Sequence, residues 1–349
     1  MRRLFVSVLR LSWLAAASAK PPQFAGLRNA GSTCYLNSVL QTLFHVPPLR
    51  EAALATVPAA PPPRRRPAWL GGARPKQDVP EALGTVFERL ARNATGGTRE
   101  LTRALGVRAY EQQDAQEYLR LVFDRLAGTQ PAARALYEGT LESYLEVTQA
   151  EAARIGAPFS LARAERFLDV SLEVAGHADV YAALAAFLAP ETLDGANKWR
   201  AGEHGLCDAR KGVRFLALPP VLVLHLKRFA YDARSDTVEK LGQPLKFPFE
   251  LDAARFFDGD GADYVLHAVV IHVGGGSAGH YFAYVDPQCD GQWLRFDDER
   301  VDTVDAARVA RDGLGTAFSP SQSMGAYLLQ YVRKTDVARL LRGHADTEL

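Results

Sequence analysis

The spacing of apolar residues changes along the chain, from a helical repeat in its first part to a strand-like pattern in its last. Apolar positions recur every three or four residues over 36–44, 79–91 and 113–126. From residue 213 onward, short runs rich in β-branched and aromatic residues alternate with turn residues. Helical runs followed by strand runs predict an α+β fold rather than a doubly wound parallel sheet.

Composition narrows the class of protein. Of the 349 residues, 48% are hydrophobic and 23% are charged, which is typical of a folded globular chain and excludes wholesale disorder, a coiled coil and collagen. Lys and Arg number 41 against 40 Asp and Glu, so no overall basic field indicates a nucleic-acid partner. The three cysteines form no CxxC pair. They predict neither a disulfide scaffold nor a structural zinc site, and they favour a reducing compartment.

Two segments depart from the globular pattern. Residues 1–20 combine basic residues with an apolar stretch that ends in small residues, as targeting segments do. Arg10 divides this stretch, which is shorter than the ~20 apolar residues that span a membrane. We predict an N-terminal extension over 1–23 without a membrane anchor, and a cleaved secretory or organellar leader is the alternative. Repeated proline predicts a surface loop over 55–78, in which the arginines at 64–66 could instead form a nuclear-import or anion-binding patch.

Cys34 stands where a polar, glycine-containing segment gives way to the helical repeat of 36–44. We therefore expect it at or near a helix N-terminus, where the dipole and free N–H groups stabilise a thiolate and bind an oxyanion. Asn29, five residues upstream, carries an amide that can donate to a tetrahedral intermediate. The alternatives are a buried structural cysteine and an asparagine that serves a turn or a helix cap.

A histidine and two aspartates follow far downstream. Residues 269–273 and 281–285 read as strands joined by a glycine-rich loop, and His280 stands where that loop ends. A second hairpin brings a strand at 293–296 back alongside, before Asp297 and Asp298. This arrangement predicts Asp297 beside His280, so that the carboxylate orients the imidazole while its other nitrogen faces a thiol. The alternatives are a loop histidine and a solvated strand end.

These motifs together resemble the ubiquitin-specific proteases, a family of papain-like cysteine proteases. Four blocks carry the resemblance, in the family's order: GLRNAGSTCYLNSVLQTLF at 26–44, EQQDAQEYLRLVFDRL at 111–126, LPPVLVLHLKRFAYD at 218–232 and GHYFAYVDPQCDGQWLRFDDERV at 279–301. Two further stretches, 191–220 and 263–272, are similar to the herpesvirus-associated branch of the family. The likeness spans about 24–333, nearly the whole chain.

The resemblance implies a deubiquitinase, which hydrolyses the isopeptide or peptide bond at the C-terminal glycine of ubiquitin. By similarity Cys34 is the nucleophile, His280 the general base and then acid, and Asp297 the residue that orients it. Asn29 matches the oxyanion-hole asparagine, and Asp298 the adjacent aspartate that assists near it. This chemistry requires no cofactor and no metal.

The resemblance also assigns residues to a channel for the ubiquitin tail. Asp114 fits a charge partner for the tail's arginines, Phe229 and Tyr281 match channel-lining positions, and Gly275 and Gly276 belong to a gating loop. The alternatives that the residues themselves suggest are a helix N-cap for Asp114 and ordinary core packing for the two aromatic residues.

By similarity the catalytic domain covers 24–334 and resembles a right hand. A helical thumb occupies about 24–145, fingers and palm about 146–334, and a tail follows over 335–349. The fingers of many family members hold zinc with four cysteines, but here only Cys207 lies in that region, so we expect packing alone to stabilise them.

The expected partners are ubiquitin and ubiquitinated proteins. We expect neither nucleic acid nor a membrane as a partner, a monomeric state, and a location in the cytosol or nucleus. Two alternative functions remain: a ubiquitin-binding module whose catalytic residues are vestigial, and a protease for another ubiquitin-like modifier.

Overall fold

Among the residues that the structure describes, the helical pattern of the first part of the chain corresponds to six helices. A computed structural model describes residues 24–58, 78–233, 236–257, 259, 262–275, 278–316 and 323–343. Its first elements, in chain order, are β1 (Leu27–Arg28), α1 (Cys34–Phe44), α2 (Pro47–Leu54), α3 (Val79–Ala91), β2 (Gly96–Gly97), α4 (Arg99–Leu105), α5 (Ala115–Leu126) and α6 (Pro131–Ala135). The bounds of α3 confirm the prediction of a helix over 79–91.

Local capping sets where these helices begin and end. The side chain of Asp78 accepts a hydrogen bond from the N–H of Glu81 at the start of α3, and a proline stands within its first two positions. Asp114 caps α5 in the same way, so that helix begins at Ala115 rather than at the predicted residue 113. Gly106 ends α4 in the left-handed conformation that glycine adopts without strain.

The middle of the chain forms a small antiparallel sheet whose strand order is β4-β3-β9-β6. The elements of this part are β3 (Gly139–Val147), α7 (Gln149–Ile155), β4 (Ser160–Phe167), β5 (Val170–Glu173), α8 (Val180–Leu188), β6 (Glu191–Leu193), β7 (Trp199–Arg200), β8 (Leu206–Cys207) and β9 (Ala209–Ala217). Most of β4 is exposed and most of β3 half-buried. The first strand of this small sheet begins at Gly139, ahead of the position near 145 where the resemblance places the end of the thumb.

A second, eight-stranded sheet dominates the rest of the chain, with the order β17-β16-β15-β14-β18-β10-β5 and β13 paired to β14. The elements of this part of the chain are β10 (Val221–Lys227), β11 (Phe229–Asp232), β12 (Thr237–Lys240), β13 (Glu250–Asp252), β14 (Asp263–Gly274), β15 (Gly279–Val285), β16 (Trp293–Asp297), β17 (Arg300–Val304), α9 (Ala306–Leu314), β18 (Ser323–Arg333) and α10 (Val337–Leu341). Of these, β11 and β12 pair with each other in a separate two-stranded sheet. Helices first and a mostly antiparallel sheet later confirm the α+β class.

The large sheet carries a hydrophobic core on each face. Alternating residues of its strands point to opposite faces, so Val270 of β14 packs with the helices while its neighbours Val269 and Ile271 pack on the other side. All eleven residues of α1 are buried, and this helix packs against β15. That packing brings the N-terminus of α1 to the sheet region that carries the histidine motif.

Some predictions fall on residues that the structure does not describe. The extension over 1–23, the centre of the proline-rich segment at 59–77 and the tail from 344 onward lie outside the described residues. Ala55 is the C-cap of α2, and Asp78 is the N-cap of α3, at the two ends of the proline-rich segment. Among the described helices, none has the length and apolar character needed to cross a membrane.

Candidate active site

Cys34 is the first residue of α1, as predicted from the sequence. Its N-cap, Thr33, makes no side-chain cap hydrogen bond, so the side chain of Thr33 leaves the N–H groups of the first turn uncapped. The loop before the helix passes through Gly31 at φ +138°, a conformation that favours glycine. Ser32 N–H donates to Ala109 O at 2.7 Å and fixes this loop to the segment between α4 and α5. A buried thiol thus stands at the positive end of a helix dipole.

His280 and Asp297 meet because their strands pair in one antiparallel ladder. The register of β15 and β16 places Ala283 opposite Phe296, and one further step places Asp297 opposite Phe282. His280 and Phe282 lie on the same face of β15, so Asp297 is a diagonal neighbour of His280. The structure gives a contact of 2.5 Å between His280 Nε2 and Asp297 Oδ1. This confirms the predicted pair.

The electrostatics of the pair favour a protonated imidazole. The hydrogen bond to Asp297, and after it the interaction with Cys34, raises the pKa of His280 to about 10. The same hydrogen bond, together with the charge of Arg295, lowers the pKa of Asp297. Because Nε2 faces the carboxylate, Nδ1 is the nitrogen left for the sulfur. A histidine beside a cysteine at a helix N-terminus is the arrangement in which thiol hydrolases activate their nucleophile.

Arg295 fixes the other oxygen of the Asp297 carboxylate. Its Nη2 lies 2.5 Å from Asp297 Oδ2, and its guanidinium stacks over the ring of Phe282 at 4.4 Å. The two residues are separated by one position in β16, so their side chains share a face of the sheet. A carboxylate bound at both oxygens cannot rotate away from His280.

Asp298 joins two asparagines beside the thiol. It lies in the turn between β16 and β17 with φ +51°, and its carboxylate accepts from Asn29 Nδ2 at 2.9 Å and from Asn37 Nδ2 at 2.7 Å. The side-chain oxygen of Asn29, Oδ1, accepts from the N–H groups of Gly31 at 3.0 Å and Thr33 at 3.1 Å. Asn29 therefore serves the turn, which was the alternative role suggested by the sequence. Its side-chain amide is held through both its nitrogen and its oxygen. One amide hydrogen of Asn29 remains for a further acceptor, since a side-chain NH₂ carries two.

The same residues form a cluster of metal-ligand types. Ligand atoms of His280, Asp297 and Asp298 lie within 4.8 Å of one another. Each already has a protein partner, because Nε2 of the histidine bonds Asp297 and both oxygens of Asp298 accept from amides. The bond between His280 and Asp297 suits an acid–base pair, and the bond from Asn29 to Asp298 suits an oriented amide donor. The expectation of no metal remains a prediction.

The other two cysteines lack these features. Cys207, in β8, is buried with its sulfur 3.3 Å from Arg154 Nη2. Burial raises the pKa of the Cys289 thiol, which disfavours its thiolate. All three cysteines are free, and Cys34 is the one that lies against a histidine.

Comparison with known proteins assigns the chain to a family. The pattern described as ubiquitin carboxyl-terminal hydrolase matches residues 25–331, which is most of the chain. The chain belongs to the ubiquitin carboxyl-terminal hydrolase family. It is 36% identical over 366 residues to ubiquitin C-terminal hydrolase 12 of Arabidopsis thaliana, and that alignment covers 95% of this chain and 31% of the relative. It is 33% identical to ubiquitin carboxyl-terminal hydrolase 7 of Drosophila melanogaster, in an alignment that covers 95% of this chain and 29% of the relative. The chain thus spans about a third of the length of these curated relatives.

The residues predicted to line a tail channel in this family lie in or beside one cluster of rings. Tyr281 is buried and packs against His272, with ring centroids 4.6 Å apart. Phe229 is half-buried and contacts the rings of His272 and Tyr327 at 5.1 and 5.6 Å. Asp114 caps α5 through one oxygen and accepts from the hydroxyl of Tyr327 with the other. The alternatives of core packing and capping therefore hold for these residues, and a role in binding the tail remains a prediction.

The glycine-rich segment is only partly described. Gly275 N–H donates to Ala278 O at 2.9 Å, which closes a turn at the end of the β14–β15 hairpin. Gly276 lies outside the described residues. The gating role of the two glycines stays a prediction.

Three residues of the site were not predicted from the sequence: Asn37, Arg295 and Tyr327. Asn37 gave no distinctive signal, because Ser38, Gln41 and Thr42 of the same helical stretch are polar as well. Arg295 stands two positions before Asp297, which places it on the same face of a predicted strand. Tyr327 gave no signal, since its contact with Asp114 joins two distant parts of the chain.

Proposed function

We propose that this chain is a thiol-dependent deubiquitinase, which hydrolyses the bond between the C-terminal glycine of ubiquitin and an amine. One observation carries the proposal: His280 lies between Asp297 at 2.5 Å and Cys34 at the start of α1. This is the arrangement of nucleophile, base and orienting acid that thiol hydrolases use. Membership of the ubiquitin carboxyl-terminal hydrolase family supports the choice of ubiquitin.

In the proposed reaction the Cys34 thiolate attacks the glycine carbonyl and forms a tetrahedral intermediate. Its oxyanion accepts from the free amide hydrogen of Asn29 and from N–H groups at the start of α1. His280 then gives its proton to the departing lysine amine, which leaves a thioester on Cys34. Neutral His280 then takes a proton from water, which attacks the thioester; ubiquitin leaves with a free C-terminal carboxyl group, and the Cys34 thiolate and protonated His280 are restored.

Asp297 and Asp298 have different tasks in this scheme. Asp297 holds the imidazole in its tautomer and stabilises its charge. Asp298 holds Asn29, so it acts on the reaction through the oxyanion donor. We propose that the tail of ubiquitin lies in the cleft between the helices and the large sheet, against Asp114, Phe229 and Tyr281, beside the loop that contains Gly275 and Gly276.

We further infer that the chain is akin to the herpesvirus-associated branch, with ubiquitin and ubiquitinated proteins as its partners. The stretches at 191–220 and 263–272 support this inference, as does a strand-rich middle region that contains Cys207 as its only cysteine. The small cluster of Val147, Ala201 and Cys207 supports packing as what stabilises the tip of that region. A catalytic domain over 24–334, a monomeric state and a location in the cytosol or nucleus belong to the same proposal.

The test is the reaction of the purified chain with a ubiquitin probe that carries a thiol-reactive group at its C-terminus. We expect a covalent adduct in the wild type and in Cys207→Ala, and none in Cys34→Ala. An adduct that survives Cys34→Ala would refute the assigned nucleophile.

The same assay addresses the two alternatives. Binding of ubiquitin without any adduct would favour a vestigial ubiquitin-binding module. Reaction with probes of other ubiquitin-like proteins, but not with ubiquitin, would refute the choice of substrate.

A further inference from the structure

The side chain of Gln112 joins the segment between α4 and α5 to β15 of the large sheet. It lies in the segment that connects α4 to α5 and is exposed to solvent. Its Oε1 accepts from Gly279 N–H at 3.1 Å, and its Nε2 donates to the carbonyl oxygen of the same glycine. One carboxamide thus satisfies both backbone groups of a single residue, as a neighbouring strand would.

Gly279 is a place where an extended peptide can add. It pairs with Gly274 of β14 on one side, whereas β16 pairs only with residues 283–285 of β15. On its other side, Gly279 therefore has Gln112 in place of a strand among the described residues. A side chain cannot replace the glycine hydrogen here, because a Cβ atom would lie 2.1 Å from Nε2 of His272. The next residue is His280, so these backbone groups lie one position from the reacting atoms.

The segment that carries Gln112 is held at its ends and open beneath. Ala109 accepts from Ser32 N–H at one end, and Asp114 caps α5 at the other. Behind the segment lies a cavity of about 290 Å³ whose lining includes Val107, Glu117 and Leu121. Tyr110 O accepts from Ser32 Oγ at 3.2 Å, but Glu111 and Gln113 line this cavity, so the part of the segment that carries Gln112 can move away from Gly279 without displacing a packed core.

We propose that Gln112 is a latch that the tail of the substrate displaces when it binds. This inference rests on the proposed function. A tail that delivers its terminal carbonyl to Cys34 passes Gly279, and its extended backbone takes the same N–H and C=O groups by strand addition. The carboxamide of Gln112 occupies those groups until the tail arrives, and the tail binds only molecules in which the latch is open.

The apparent affinity for ubiquitin equals the affinity of the open molecules multiplied by the fraction of molecules in which the latch is open. Two solvent-exposed hydrogen bonds shift such an equilibrium by a factor of about 3 to 10. Removing the carboxamide should therefore tighten ubiquitin binding by that factor, which is the opposite of what loss of an ordinary binding residue does.

The experiment measures the Kd of fluorescently labelled ubiquitin for the full chain carrying Cys34→Ala, which prevents turnover. Gln112→Ala should bind about 3- to 10-fold more tightly. Gln113→Ala is the matched control, because Gln113 lies beside the latch, whereas the contact with Gly279 belongs to Gln112. Ubiquitin that lacks its last two glycines should bind all variants equally, since it does not reach Gly279.

Each outcome decides the matter. Unchanged or weaker binding of intact ubiquitin by Gln112→Ala would overturn the latch while leaving the proposed function intact. A lack of binding in the wild type and in Gln113→Ala alike would overturn the proposed function, and the latch with it.

Hydrogen exchange at the Gly279 amide tests the contact itself without ubiquitin. We expect faster exchange in Gln112→Ala than in the wild type or Gln113→Ala. Equal exchange in all three proteins would overturn the latch.

Discussion

Replacing Asp298 by asparagine should slow catalysis without weakening substrate binding. The substitution keeps the shape of the side chain and exchanges one carboxylate oxygen for an NH₂ group. Asparagine tolerates the left-handed conformation at φ +51° as well as aspartate does, so the turn between β16 and β17 is preserved. The change is therefore confined to the two hydrogen bonds from Asn29 and Asn37.

The structure indicates which of these bonds survives. A single remaining oxygen can accept from one amide, and the new NH₂ group then faces the other donor. Asn37 is buried, whereas Asn29 is exposed, and an unpaired buried amide costs more free energy than an exposed one. In Asp298→Asn the remaining side-chain oxygen should therefore keep Asn37 and release Asn29. Loss of a hydrogen bond to a charged group costs about 1.5–3 kcal/mol when buried, so at this exposed site we expect a loss of about 1 kcal/mol in unfolding free energy.

The larger effect falls on the reaction. Removal of one oxyanion donor costs about 10²–10³ in kcat in well-studied hydrolases. A donor that is present but poorly oriented should cost less, so we expect kcat to fall about 10- to 100-fold. The KM should stay unchanged, because the proposed channel for the ubiquitin tail does not include Asp298.

The assay is steady-state hydrolysis of ubiquitin carrying a fluorogenic amide at its C-terminus, with urea unfolding measured on the same preparations. Asn29→Ala is the comparison, and it should show the full loss of the donor. An unchanged kcat in Asp298→Asn, whatever its stability, would refute the idea that this carboxylate acts through Asn29. A fall in stability of several kcal/mol would show instead that its role is structural.

The same site and its surroundings allow three further predictions. In Gly26→Ala the new Cβ would lie 2.3 Å from the carbonyl oxygen of Asp298, so thermal unfolding should show a loss of about 1–3 kcal/mol and turnover should fall. Because the pKa of His280 is raised to about 10, its stabilising pair with Asp297 is fully present below pH 6.5 and is lost as the pH rises through 10. The difference in unfolding free energy between wild type and Asp297→Asn should shrink over that range, and a constant difference would contradict the pairing. Burial lowers the pKa of His267 to about 4, so its neutral form stabilises the fold above pH 6.5, and this contribution is lost as the pH falls toward 4. Between pH 6.5 and 4, the unfolding free energy of His267→Gln should therefore fall less than that of the wild type.

The local part of the site could be predicted because short-range pattern governs it. The N-terminus of α1 follows from a glycine-containing turn before an apolar helical repeat, and Cys34 takes its place there without help from the rest of the chain. The pair of His280 and Asp297 follows from two hairpins in succession, since strand pairing and side-chain alternation determine which residues become neighbours.

Other predictions could not resolve which of two roles a residue has. The sequence allowed Asp114 to be either a cap or a charge partner, and in the fold it is an N-cap that also binds Tyr327. The fold also surrounds Tyr281 with other rings and buries it. Capping is a local matter and was predicted as an alternative, but contact with Tyr327 depends on how β18 packs against the helices.

The sequence by itself determined the residue types that carry the chemistry, the helix that presents the nucleophile, and the hairpins that join base to acid. Only the tertiary structure decided that these parts meet. Asn29 and Asp298 lie 269 residues apart, and no local preference encodes their contact. It arises because α1 is buried along its whole length and packs against β15 and β16 of the large sheet, which brings the helix N-terminus to the ends of these strands. The latch between Gln112 and Gly279 depends on the same packing, since its two residues belong to separate layers of the fold.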